Sequence, residues 1–121
     1  MRWPRGWMAT AAVAGLLGLV PAVRPLAAQD RTVILVRHAE KAAPDGDPPL
    51  SAAGTVRAAA LGNTLKDAGV SAIITTQYQR TAATAAPVAR AAGITPEVVR
   101  VGSSVPEHAA AVAAAVRREP P

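Results

Sequence analysis

The sequence predicts an α/β fold, a three-layer sandwich built on a mainly parallel sheet. Two observations predict it. Residues 32–36 read T-V-I-L-V, an apolar and β-branched run without alternation. Such a run suits a strand buried on both faces, as in a parallel sheet with helices on each side. Beyond it, helical and strand patterns alternate along the chain, and crossovers of that kind build a parallel layer.

The first strand breaks off into Arg37-His38-Ala39-Glu40-Lys41. A loop follows, rich in turn formers: Pro44, Asp45-Gly46 and Pro48-Pro49. Ser51 is a good N-cap for the first helix. Gly54, Ala58, Leu61, Leu65 and Ala68 recur at steps of four and three, which marks one helix face, and Gly69 is the expected stop. Small residues on that face let the helix lie close to its neighbours.

A second strand is predicted over 70–75, with Ile73 and Ile74 at its centre. The polar segment Thr76-Gln77-Tyr78-Gln79-Arg80 ends it. A second helix covers about 81–92 and is closed by Gly93; Pro87 inside it removes one backbone donor and should kink it. A third strand is predicted over 96–101. Ser104 and Glu107 then match a capping box that opens an alanine-rich helix running to Arg118. No internal repeat is present.

The 121 residues allow one domain at most. Residues 1–28 read as a secretory signal peptide: Arg2 and Arg5 form the basic region, 8–20 the apolar region, and Leu26-Ala27-Ala28 the cleavage point. The rival reading is an uncleaved membrane anchor. The uncharged run 6–23 is only just long enough to span, and Pro21 interrupts it. No cysteine follows, which excludes a lipoprotein anchor. The expectation is an exported protein, periplasmic or extracellular, with no stable membrane insertion after cleavage.

Loss of Arg2, Arg5 and Arg24 with the leader lowers the formal charge from +5 to +2. A charge that small gives no reason to expect a nucleic-acid partner. Both tryptophans lie in the leader, so Tyr78 is the one aromatic after it. The core must be thin and closely packed, made of Ala, Val, Leu and Ile. The stretch 29–121 is small for a doubly covered sheet, since each strand–helix unit takes about 30 residues. The expectation is therefore a domain lacking its last strand or strands at the C-terminus.

Ligands in open parallel sheets bind beyond the carboxyl ends of the strands. Arg37 and His38 follow the first predicted strand, and Arg80 the second. Two guanidinium groups and an imidazole at one sheet end suit a tetrahedral dianion, because arginine donors match phosphate oxygens. A neutral imidazole could attack phosphorus and form a phosphohistidine. The arginines would offset charge on the moving phosphoryl group.

Leu35-Val36-Arg37-His38-Ala39-Glu40-Lys41, then Pro49-Leu50-Ser51-Ala52-Ala53-Gly54, then Thr76-Gln77-Tyr78-Gln79-Arg80-Thr81-Ala82-Ala83-Thr84-Ala85 follow one another in order. Together they closely resemble the histidine phosphatase superfamily, the phosphoglycerate-mutase-like group. The resemblance spans about 32–101 and looks closest to the small, one-domain branch whose first motif ends in A-E-K. It implies that His38 is the phosphorylated nucleophile and that Arg37 and Arg80 bind the phosphate. Thr81 and Thr84 accompany the arginine in the family. The resemblance also implies a second pocket histidine after a later apolar strand. His108 is the remaining histidine, but it follows Ser-Val-Pro-Glu at a helix start. Either His108 serves, or that histidine belongs to the missing strand.

Glu107, Glu40 and Asp45 are candidates for the leaving-group acid, and none is assigned. The expected function is hydrolysis of a phosphomonoester or related phosphoryl group through phospho-His38, on a phosphorylated small molecule or a phosphoprotein, with no cofactor and no metal. The arginines offset the charge, and there is no cysteine or acidic ligand cluster. The alternative is a phosphate-binding or scaffold protein without turnover. A mutase ranks last, because the short loops leave little room to enclose a sugar phosphate.

Overall fold

Ser51 opens the first helix, α1 (Ala52–Leu65), in the computed structural model, which describes residues 31–120. Its hydroxyl accepts a hydrogen bond from Gly54 N at 3.0 Å, satisfying one of the amides that a helix start leaves without a partner. Gly54, Ala58 and Gly62 are the buried positions of α1, a stripe at steps of four. Leu61 and Leu65 of the expected stripe are half-buried, and Ala68 is exposed. The helix ends before Gly69. Ala68 N donates to Leu65 O at 3.0 Å, a tightened last turn, and Gly69 takes the left-handed φ of 66° beyond it.

Two glycines of α1 are demanded by close approach. A Cβ on Gly54 would lie 2.2 Å from the Glu40 carbonyl oxygen. A Cβ on Gly62 would lie 2.7 Å from Pro87 Cβ. The first glycine lets α1 rest on the loop after His38. The second lets α1 pack against α2 (Gln79–Ala92), where Pro87 sits in mid-helix. Pro87 interrupts one backbone bond but not the helix, and Gly93 at φ 68° closes it as expected.

Between α1 and α2 comes β1 (Ile74–Thr75), and after α2 comes β2 (Glu97–Val98). The two strands pair in parallel, Ile74 opposite Glu97 and Thr75 opposite Val98. Glu97 N donates to Ile73 O at 2.8 Å and Val99 N to Thr75 O at 2.9 Å. Both strands are shorter than the apolar runs that predicted them. The last helix, α3 (Val105–Arg118), starts at Ser104, whose hydroxyl accepts from Glu107 N at 3.3 Å. The Glu107 carboxylate does not complete the box. It accepts from the Ser103 hydroxyl at 2.8 Å instead.

The run 32–36 is not a buried strand. None of its backbone groups bonds to another backbone group among the described residues. Leu35 is 92% exposed and Val33 59%. Apolar β-branched composition favours extension, but burial on two faces needs neighbouring strands, and neither β1 nor β2 pairs with this run. The architecture is thus helical with a small two-stranded parallel sheet, consistent with the expected α/β class. Among the described residues the buried apolar set is Ala39, Ala58, Val88, Ala89 and Ala115. No large side chain among the described residues is fully buried, and the core is thin. The leader falls on residues 1–28 and lies outside the described residues. No described helix is long and apolar enough to cross a membrane.

Candidate active site

The site grows from the loop after residue 36. Ala39 is buried, and its amide donates to the Thr84 hydroxyl at 2.9 Å. The same hydroxyl donates to the Arg80 carbonyl at 2.6 Å. Thr84 therefore ties the residue after His38 to the first turns of α2. Ser51 N donates to Glu40 O at 2.8 Å, and Ala42 N to Pro49 O at 2.9 Å, so the loop is closed at its base by a Lys41–Leu50 bridge. Gly54 packs beneath Glu40. The three quoted segments thus meet in space, each through backbone or hydroxyl contacts.

His38 is half-buried, and its Nδ1 lies 2.8 Å from Ala39 O. A carbonyl only accepts, so Nδ1 carries the proton and Nε2 keeps its lone pair in the neutral ring. Arg37 and His38 line an open cavity of about 540 Å³ together with Glu40, Lys41 and Arg57. Glu40 holds Arg57 at 2.6 Å from Nη2 and 2.7 Å from Nε. The hydrogen bond from its own backbone N–H, then the Arg57 guanidinium, hold the Glu40 carboxyl below the usual range. Lys41 Nζ donates to Pro44 O.

Arg80 is not among the residues that line this cavity. Its guanidinium carbon lies 4.1 Å from the Tyr78 ring centroid, and Nη1 lies 3.4 Å from Asp47 Oδ1. The cavity lining thus takes in Arg37 and His38, and the Thr84 hydroxyl joins the Arg80 carbonyl to the Ala39 amide next to them. His108 stands on α3 with Nδ1 3.3 Å from Arg100 O, and it does not line the cavity. Neither Glu107 nor Asp45 lines it, whereas Glu40 does. Among the described residues no group of three or more His, Cys, Asp or Glu comes together.

Asp47 escaped the sequence reading. Both its carboxylate oxygens accept from Gln79 N, at 3.0 and 3.1 Å, and Gln79 Nε2 donates to Asp47 O at 3.1 Å. It caps α2 from 32 residues away. The usable signal was negative. The residue at the start of α2 is Tyr78, which has no side-chain cap to offer. A helix start without a local cap needs a donor's partner from elsewhere.

Set against protein-family models, residues 33–100 match that of the histidine phosphatase superfamily (branch 1). The matched stretch holds Arg37, His38, Asp47, Arg80 and Thr84, and stops short of His108. Neither a curated protein nor a solved structure matches the chain. Family membership suggests phosphatase or mutase-type chemistry. The match covers more than half the chain and includes the Arg37-His38 loop, its Thr84 tether and Arg80: the chain belongs to the histidine phosphatase superfamily (branch 1).

Proposed function

We propose that the protein is a phosphohydrolase that works through a phosphohistidine at His38. The observation that carries the reading is the contact of His38 Nδ1 with Ala39 O at 2.8 Å. It fixes the tautomer in which Nε2 is the nucleophile. In the first step Nε2 forms a bond to phosphorus as the phosphorus–oxygen bond of the ester breaks. The leaving oxygen takes up a proton from solvent water and departs as the alcohol. In the second step water attacks phosphorus, the phosphorus–nitrogen bond breaks, and inorganic phosphate and neutral imidazole result.

Arg37, next to His38 in the cavity, offsets charge on the phosphoryl oxygens, and Lys41 and Arg57 add to the positive lining. Arg80 supplies the second guanidinium. Glu40 is a poor source of the leaving-group proton. Its carboxyl is held below the usual range and is ionised at neutral pH, so it serves as the partner of Arg57. The substrate class is a phosphomonoester, on a small molecule or a phosphoprotein. The leader reading of 1–28 puts the activity outside the cytoplasm. The two-stranded sheet is read as part of a three-layer sandwich.

A second reading has one observation in its favour. Arg80 is paired with Asp47 and is not among the residues that line the His38 cavity, which suits phosphate binding without turnover. Rapid mixing with an aryl phosphate separates the two. Turnover through His38 gives a burst of aryl alcohol equal to the enzyme concentration, and His38→Ala gives none. A parent protein that binds inorganic phosphate but releases no product supports the second reading.

A further inference from the structure

The loop 41–50 leaves the His38 motif, is bridged at its base, and returns to α1. Lys41, Ala42, Ala43 and Pro44 form one wall of the cavity. Farther along, Asp47 leaves that wall and reaches the start of α2. There it makes two kinds of contact. Its oxygens accept the Gln79 amide at 3.0 and 3.1 Å, and Oδ1 stands 3.4 Å from Arg80 Nη1. The Arg80 side chain is only 19% exposed and lies over Tyr78. It is held on one face by the ring and on one edge by the carboxylate. Asp47 is the one described acceptor for its five guanidinium N–H donors.

We infer that Asp47 is a positioning residue that locks the cavity wall to the start of α2 and aims Arg80 for the phosphate. A carboxylate with two oxygens can cap a helix and orient a guanidinium together. The cap needs only an acceptor, which Asn also offers. The aim on Arg80 needs the negative charge. The two roles therefore separate on substitution. The inference rests on the proposed phosphate site for its purpose, but the aim on Arg80 can be read without any ligand.

The test compares the full chain with Asp47→Asn and Asp47→Ala, and uses inorganic phosphate as the probe. Thermal unfolding reads the cap, titration calorimetry reads phosphate affinity, and ¹⁵N NMR of the Arg80 Nε–Hε group reads its order. Asp47→Ala is expected to lose thermal stability and phosphate affinity together. Asp47→Asn is expected to keep the parent's thermal stability while phosphate affinity falls by about tenfold, the scale of one lost charge-assisted hydrogen bond. Its Arg80 signal should move to the position of a solvated guanidinium. Asp47→Asn that recovers affinity along with stability, or that binds phosphate more tightly than the parent, would overturn the inference. Failure of the phosphate site itself looks different, because the parent then binds no phosphate. The Arg80 signal then decides: a shift in Asp47→Asn supports the aiming role, and an unchanged signal overturns it.

Discussion

The hydroxyl of Thr84 accepts the amide of Ala39 at 2.9 Å across 45 residues of sequence. This bond fixes the backbone next to His38 to α2, and it is buried. A buried amide without a partner costs about 1–3 kcal/mol. Thr84→Val keeps the shape and removes the acceptor, so it should destabilise the chain by about that much. Thr84→Ser keeps the hydroxyl and should lose well under half of it. Urea unfolding of the three proteins checks this. Equal stability of Thr84→Val and the parent would mean that the Ala39 amide finds another partner.

Gly54 is held by space rather than by backbone conformation. A methyl group there would meet the Glu40 carbonyl oxygen at 2.2 Å, and both are backbone positions that cannot swing aside. Gly54→Ala should therefore destabilise the chain by about 1–3 kcal/mol, as overpacking does. Ordinarily the same change in a helix interior helps by roughly 0.5–1 kcal/mol. The sign alone is diagnostic, and thermal unfolding reads it.

Gly62 faces Pro87 Cβ at 2.7 Å from its would-be methyl group. Gly62→Ala should push α1 from α2 and lower the melting temperature. Adding Pro87→Ala does not restore the space, since its Cβ remains. Restoration needs glycine at that position, and Gly62→Ala with Pro87→Gly should show positive coupling in a double-mutant cycle. Additive effects would mean that the two residues do not touch.

Glu40 should titrate below the ordinary value of 4.5, because its own backbone N–H and then Arg57 favour the charged form. A lowered folded value stabilises the fold above the unfolded value, and that contribution fades as pH falls through the folded one. Its size is small at so exposed a site. Arg57→Gln removes only the second cause. The midpoint of Glu40 in carbon-detected NMR should therefore rise part of the way toward 4.5 and stay below it. A midpoint that does not respond to Arg57→Gln would deny the ion pair.

Much of the helical framework was legible because its signals are local. Ser51, Ser104 and Gly93 do what their side chains and backbone allow, and each sits at the end that it marks. The alternation of helix and strand patterns likewise appears, with β1 and β2 inside the predicted stretches. Residues 32–36 depart from the expected strand because composition reports the tendency to extend, whereas a buried strand also needs partners that composition does not supply. At the site, Arg37 and His38 adjoin in sequence and share a cavity. The placement of Arg80 depends on Asp47 and Tyr78, and the Asp47 contact bridges 33 residues with no periodicity to announce it.

The most direct measurement is the chemical state of His38 during turnover. The full chain is mixed with an aryl phosphate, quenched in base, digested and mapped by mass spectrometry. The expected result is a phosphoryl group on His38, stable in base and lost in acid, and absent from His38→Ala. Product release with no phosphoryl group on His38, or undiminished turnover by His38→Ala, would contradict it.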